Sequence, residues 1–279
     1  MHGLLASSEA MSHVEQWAKQ DVPGLHVANI EIGDGYYDSL LMNMNVQVEQ
    51  FARAVRADAR LANGFNLVGH SQGGLITRAY IERFNDPPVF NYVSLAGPHG
   101  GQYGVPVFNA LDCPDSQAQC DFANALFSDV LNNYDVLSKD IQEHLSFASY
   151  WHDPFAQKRF LAENIFLADL NNARAVKNAT YKAHFTSLNH VTLVYSLIDN
   201  IVVPNVSPTF SFFDYVTGTD KAILPMRQTP DYVGDWIGLQ TIDRAGKLDV
   251  WGVNCTHADL PRLACKPFVY DRLIRPWII

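Results

Sequence analysis

A chain of 279 residues is long enough to bury a sizeable core in one large domain. Hydrophobic residues at 48% and charged residues at 18% exclude a disordered chain, and a net charge of −9 without any basic cluster argues against nucleic acid as a partner. No apolar run approaches the ~18–20 residues of a membrane span, and no charged start with an apolar stretch follows Met1 as a signal peptide would require.

Ser7 or Ser8 is placed to cap a first helix, whose Ala10, Val14, Trp17 and Ala18 fall on one face. Pro23-Gly24 ends it, and Leu25 to Ile32 reads as a strand. After the Gly33-Asp34-Gly35 turn, a long helical pattern begins near Asp38 or Ser39 and carries Met44, Val48, Phe51, Val55 and Ala59 on one face. Asn63-Gly64 closes it. Phe65 to Val68 is a short apolar strand that runs into Gly69-His70-Ser71-Gln72-Gly73-Gly74 and then a helix to about Phe84. Pro87-Pro88 breaks the pattern, and Tyr92 to Leu95 reads as the next strand. This alternation predicts an α/β fold, with a mostly parallel sheet covered on both faces.

From about 106 to 185 the pattern changes. The short Ile165-Phe166-Leu167 is the one strand-like run, Tyr134, Leu137, Ile141 and Leu145 recur at helical spacing, and Phe147, Tyr150, Trp151, Phe155 and Phe160 make the stretch aromatic. An inserted, mostly helical lid is expected there, within a single domain spanning the chain. Sheet character resumes at Val191 to Tyr195, which ends at Ile198-Asp199, and a last strand from Leu248 to Val253 leads to Cys255-Thr256-His257.

Gly69 to Gly73 contains Gly-x-Ser-x-Gly between a strand and a helix, the setting of a nucleophile elbow, in which a sharp turn lifts the serine clear of the sheet. A serine hydroxyl is a poor nucleophile until a base reaches it and a carboxylate orients that base. In an elbow hydrolase the order along the chain is Ser, Asp or Glu, His. Asp199 and His257 each lie just beyond a strand, at the sheet edge where Ser71 sits, and His257 is the histidine that follows Asp199. Asp214, Asp220 and Asp259 are rival carboxylates less directly placed at a strand end. An oxyanion hole needs two N–H groups, worth roughly 3–4 kcal/mol each. One belongs to Gln72, after the nucleophile, and His2-Gly3-Leu4 offers the Leu4 N–H as the second. No metal or other cofactor is required.

Four cysteines form two local pairs, Cys113 with Cys120 and Cys255 with Cys265, and no Cys-x-x-Cys is present. Two local disulfides fit a secretory or lysosomal compartment. Sequons at Asn178, Asn205 and Asn254 point the same way. Pro208 makes the Asn205 site a poorer one, and Asn254 lies so near His257 that a glycan there would obstruct substrate.

With these residues in place, the chain resembles the palmitoyl-protein thioesterases of the lysosomal type. The likeness is carried by His2-Gly3, Leu41 to Val48, the Ser71-Gln72-Gly73-Gly74 elbow, Cys120-Asp121-Phe122, Tyr150-Trp151-His152-Asp153-Pro154, Ile165 to Asn171, Phe210 to Tyr215 and Leu239. The elbow is shared with secreted lipases, whereas the Tyr150 and Ile165 stretches are more specific. The resemblance implies an α/β-hydrolase fold, the triad at Ser71, Asp199 and His257, oxyanion donors at Gln72 and Leu4, and a glycan at Asn178. It departs from the family at Ala6-Ser7-Ser8, where cysteines are usual, and in lacking a second disulfide around the elbow. The chain is closer to the first of the family's two types, although its Cys255–Cys265 pair is found in some relatives of the second.

The implied activity is hydrolysis of long-chain (palmitoyl) thioesters on S-acylated protein or peptide cysteines, with acyl-CoA also accepted, by a monomer of the lysosome or secretory path. The alternatives are a lipase or esterase acting on oxygen esters, and a catalytically silent lipid-binding protein of the same fold. The fold should place an apolar strand before His2-Gly3, beside the elbow strand. Its absence from this sequence predicts an N-terminally shortened chain with unpaired backbone groups on two inner strands, each costing about 1–3 kcal/mol if buried.

Overall fold

The computed structural model describes residues 1–109 and 117–278. Its centre is a four-stranded sheet in the order β1 (Phe65–His70), β2 (Val89–Leu95), β3 (His190–Ser196) and the last strand, β6 (Leu248–Val253), with every neighbouring pair parallel. A small antiparallel hairpin, β4 (Phe212–Asp214) with β5 (Thr219–Leu224), stands apart. Side chains alternate across the parallel strands, so both faces need cover. Tyr92 and Leu193 face one core with Met44, Val48, Phe51, Leu75 and Ile76. Val93, Leu95 and Val194 face the other, with Val14, Trp17, Tyr270 and Ile274. Each such fully buried apolar side chain stabilises the fold by roughly 1.5–3 kcal/mol. This is the α/β-hydrolase arrangement that the family resemblance implies.

The first core is built by α3 (Met44–Ala57) and the elbow helix α4 (Gln72–Arg83); the second is closed by α1 (Ser12–Asp21) and the C-terminal turn of helix. The expected single helix after Gly35 is two, a short α2 (Tyr36–Leu41) and α3, because Asn43 caps a new start by accepting from the Asn45 N–H. Between β2 and β3 the described chain is helical, in α5 (Gln117–Asn133), α6 (Lys139–His144), a 3-10 helix (Ser146–Tyr150), α7 (Gln157–Glu163), α8 (Leu167–Leu170) and α9 (Ala179–Thr186). Two local readings change here. Tyr134 and Leu137 fall in a turn, since Ser138 restarts the helix by capping the Ile141 N–H. Ile165 to Leu167 is a bend entering α8, not a strand.

The segment Leu25 to Ile32 forms no ladder. Its strand-like composition is real, but a strand also needs a neighbour. Among the described residues, the side of β1 away from β2 carries a single rung. The Met1 amino group donates to the Val68 carbonyl and the His70 N–H donates to the Met1 carbonyl, both at 3.0 Å. A cleft of about 370 Å³ lies between this edge and Leu25 to Ile30, lined also by Met11, Phe51 and Phe65. Burial pulls the Met1 ammonium down to about 5.

Candidate active site

β1 ends at His70, and Ser71 then takes φ 55°, ψ −129°, a conformation unusual for a side-chain-bearing residue. It is held there by its N–H, which donates to the Leu95 carbonyl at 2.7 Å, and by its carbonyl, which accepts from Gly74 at 2.8 Å. The His2-Gly3 segment packs directly on this turn. A Cβ on Gly3 would lie 2.7 Å from the Ser71 Cβ, and one on Gly73 would collide with the His2 carbonyl oxygen. Two glycines therefore let the first loop and the elbow touch backbone to backbone. Ser71 occupies the N-cap of α4, where the helix's positive end favours negative charge.

The C-terminal ends of β1, β3 and β6 bring Ser71, Asp199 and His257 to one sheet edge. His257 Nδ1–H donates to Asp199 Oδ2 at 2.8 Å, with both side chains buried. The other carboxylate oxygen accepts from the Ile201 and Val202 N–H groups, each at 2.9 Å. Burial works to raise the Asp199 carboxyl, but the neighbouring His257, its hydrogen bond and the two N–H groups outweigh it and hold the carboxyl below the usual range. The disulfide Cys255–Cys265 brackets the His257 loop. Of the expected Cys113–Cys120 pair, Cys113 lies outside the described residues.

His70 has a part that the sequence reading missed. Its Nε2–H donates to the His257 carbonyl at 2.9 Å, across 187 positions of chain. Burial first, and the nearby His257 second, push its pKa down to about 3, so it stays neutral. Only the strand register and the return of β6 bring the two together, and no local pattern encodes that.

Ser71 and His257 line one cavity of about 580 Å³, with Leu4 also on its wall. One side is apolar and aromatic: Phe108, Phe127, Phe147, Tyr150, Ile201 and Val202. Phe127 packs on Phe108 at 5.6 Å and on Phe147 at 4.3 Å between ring centroids. Elsewhere the wall carries Glu9, His13, Tyr37 and Arg262. The Gln72 side chain does not enter the cavity region as a free polar group; it is fully engaged behind it, with Ser39, Gln47, Ser146 and Tyr150.

The stretches that carried the resemblance pin the helical segment to the elbow helix. His152 is sandwiched between Phe160 and Phe212, at 4.0 and 4.7 Å, and its Nδ1–H donates to the Gly100 carbonyl. Asn171 accepts from Arg78 and donates to the His99 carbonyl, and Asp169 pairs with Arg83 at 3.0 Å. The sequence profile of the family described as Palmitoyl protein thioesterase matches residues 1–257. The chain belongs to the palmitoyl protein thioesterase family. The Dictyostelium discoideum protein named palmitoyl-protein thioesterase 3 is 41% identical over 269 residues, 96% of this chain and 87% of that protein. Palmitoyl-protein thioesterase 1 of Caenorhabditis elegans is 32% identical over 261 residues, 91% of this chain and 82% of its own. The Homo sapiens protein named lysosomal thioesterase PPT2 is 28% identical over 284 residues, covering 100% of this chain and 86% of that one. A member of this family with this fold is a hydrolase of the thioesterase class.

Of the glycosylation candidates, Asn178 is exposed and caps α9 through the Thr180 N–H, whereas the Asn205 amide is half-buried and donates to the Ser196 and Leu197 carbonyls. Among the described residues no helix is long and apolar enough to cross a membrane.

Proposed function

We propose that this chain hydrolyses long-chain acyl thioesters carried on protein or peptide cysteines, and acyl-CoA by the same chemistry. The observation that carries the reading is the cavity shared by the Ser71 elbow, the His257–Asp199 pair and an aromatic wall. Ser71 attacks the thioester carbonyl while His257 Nε2 takes its proton. Asp199 holds Nδ1–H and so fixes the tautomer in which Nε2 is the basic nitrogen. The oxyanion develops at the amino end of α4, where the Gln72 and Leu4 N–H groups receive it. A cysteine thiolate, with a conjugate-acid pKa of about 8.5, leaves with little acid assistance. Water activated by His257 then releases the fatty acid. The wall from Phe108 to Phe147 takes the acyl chain at roughly 0.8 kcal/mol per buried methylene, which favours long chains.

The helical segment between β2 and β3 acts as the lid of a single domain, in a monomer. Relatives named as lysosomal thioesterases, the disulfide and the exposed Asn178 support a lysosomal location with a glycan at Asn178 and a poorer site at Asn205. The test compares an S-palmitoyl peptide with its matched oxygen ester. Faster hydrolysis of the thioester, lost in Ser71→Ala, is the expected result. Preference for the oxygen ester would make the chain an esterase, and failure of a fluorophosphonate to label Ser71 would leave it a silent binding protein.

A further inference from the structure

Behind the cavity lies a closed polar cluster that the reaction itself does not use. The Ser39 carbonyl, in α2, accepts from Gln72 Nε2 at 2.7 Å, Gln47 Nε2 at 3.1 Å and Ser146 Oγ at 2.7 Å. The Ser39 hydroxyl accepts from the Leu5 N–H at 2.8 Å and donates to the Tyr36 carbonyl at 2.7 Å. Gln72 Oε1 lies 2.9 Å from Ser146 Oγ and accepts from the Tyr150 hydroxyl at 3.1 Å. Ser39, Gln47, Gln72, Ser146 and Tyr150 are all buried, so no water competes for these bonds.

The placement of this cluster gives it a consequence. Gln72 begins the elbow helix, and Leu5 directly follows Leu4 in the loop that packs on Ser71; Leu5 itself is held at φ 50°. Ser146 and Tyr150 belong to the 3-10 helix whose Phe147 and Tyr150 rings form part of the cavity wall. One buried residue, Ser39, is thus bonded to the first loop through Leu5, to the first residue of the elbow helix through Gln72, and through Ser146 to the 3-10 helix that gives the wall Phe147 and Tyr150. Buried neutral networks of this kind fix relative position, and a misplacement of about 1 Å at a reacting centre can cost about a hundredfold in rate.

We infer that Ser39 and Ser146 are positioning residues, which set the spacing of the Leu4 and Gln72 N–H groups and couple that spacing to occupancy of the aromatic wall. This rests on the thioesterase reading above. An acyl chain long enough to press on Phe147 and Tyr150 tightens the network, and the gain appears in kcat. A chain too short to reach the wall forgoes it.

The test measures kcat and KM for acyl thioesters of short and long chain with Ser39→Ala, Ser146→Ala and Tyr150→Phe. Ser39→Ala removes the acceptor of the Leu5 N–H while leaving the carbonyl that Gln72 uses, and it is expected to lower kcat about tenfold for both chains. Ser146→Ala and Tyr150→Phe are expected to lower kcat for the long chain towards the short-chain value, with KM unchanged. Tyr150→Phe keeps the ring on the wall and so remains informative if Ser146→Ala folds poorly. A rise in KM at constant kcat, or an equal loss for both chain lengths in Ser146→Ala and Tyr150→Phe, overturns the coupling. The rate at which a fluorophosphonate labels Ser71 separates this inference from the substrate reading. Its phosphoryl oxygen enters the same N–H pair whatever the natural acyl group, so an enzyme that ignores long-chain thioesters still shows slower labelling in Ser39→Ala. Unchanged labelling in that variant sinks the positioning role itself.

Discussion

The two ends of helix α4 both bury polar side chains, and they treat them in opposite ways. At the amino end, Gln72 Nε2 and Oε1 are both matched to neutral partners. Six and ten residues further along the helix, Arg78 and Glu82 have no exposed side-chain surface and lie 3.5 Å apart. Arg78 Nη2 donates to Asn171, but Arg78 Nε and both Glu82 oxygens have no hydrogen-bond partner among the described residues. Burial raises the Glu82 carboxyl to about 8 against the pull of Arg78 and Arg83. Neutral donors and acceptors can all be given partners, and pairing fixes geometry. A carboxylate and a guanidinium in an apolar interior keep unmatched capacity, and what they hold is a displaced proton equilibrium. The first end sets the shape of the site; the second sets how the fold answers to pH.

Breaking the charged end should have the largest effect on stability. Arg78→Met removes the donor to Asn171 and leaves that buried amide oxygen unpaired beside a protonated Glu82, at a cost of about 1–3 kcal/mol. Urea unfolding measures this, with kcat of the folded fraction preserved; a loss of kcat at full stability would show that the two ends are not separate in function. Breaking the neutral end should reverse the pattern. Gln72→Leu keeps the backbone N–H and the side-chain bulk, and kcat should fall about a hundredfold with a smaller loss of stability. Retention of kcat there would mean the side-chain network does not shape the site. A third neutral contact sharpens the point: His70→Phe removes the donor to the His257 carbonyl and should lower kcat about tenfold by loosening the base.

What the sequence makes legible follows the same division between local and lateral. The elbow is a local pattern of strand, small residues and helix, so Ser71 and Gln72 can be read directly. Asp199 and His257 follow from chain order and strand ends, because a parallel sheet carries all its C-terminal ends to one edge. The wall residues Phe147 and Tyr150 are visible as aromatic density, but not the cluster behind them. Ser39 is an unremarkable serine in a short helix, and its partners at positions 72 and 146 come together only in the fold. Leu25 to Ile32 fails for the same reason. Its composition suits a strand, yet a strand is defined by its neighbour, and a cleft stands where that neighbour would be. The β4–β5 hairpin went unread because Thr219 to Asp220-Lys221 is polar and its apolar content is slight.

The pH dependence of stability most directly separates the two ends of α4. Burial raises Glu82 to about 8, and it raises Asp231, whose carboxyl is hydrogen-bonded by the Tyr215 hydroxyl, to about 6. A folded-state pKa above the unfolded value means that the fold binds the proton more tightly. The associated stability is complete below the unfolded carboxylate pKa of about 4 and is lost as pH rises through the folded values. These two groups should therefore contribute a fall in melting temperature from about pH 4 upward, Asp231 as far as about pH 6 and Glu82 as far as about pH 8, set against the rising contributions of the buried Met1 amino group and His70, whose folded values are lowered. Asp199 acts in the opposite sense, since its lowered pKa gives stability that is lost only as pH falls through that folded-state value, below the ordinary carboxylate range. Glu82→Gln fixes the neutral state of the residue. Against the parent, the variant should show little difference near pH 4 and an excess in melting temperature that grows up to about pH 8. Parallel curves for variant and parent would show that Glu82 is ionised in the fold throughout this range. The Arg78–Glu82 contact would then be an ordinary buried ion pair, and the charged end of α4 would differ from the neutral end in composition but not in response.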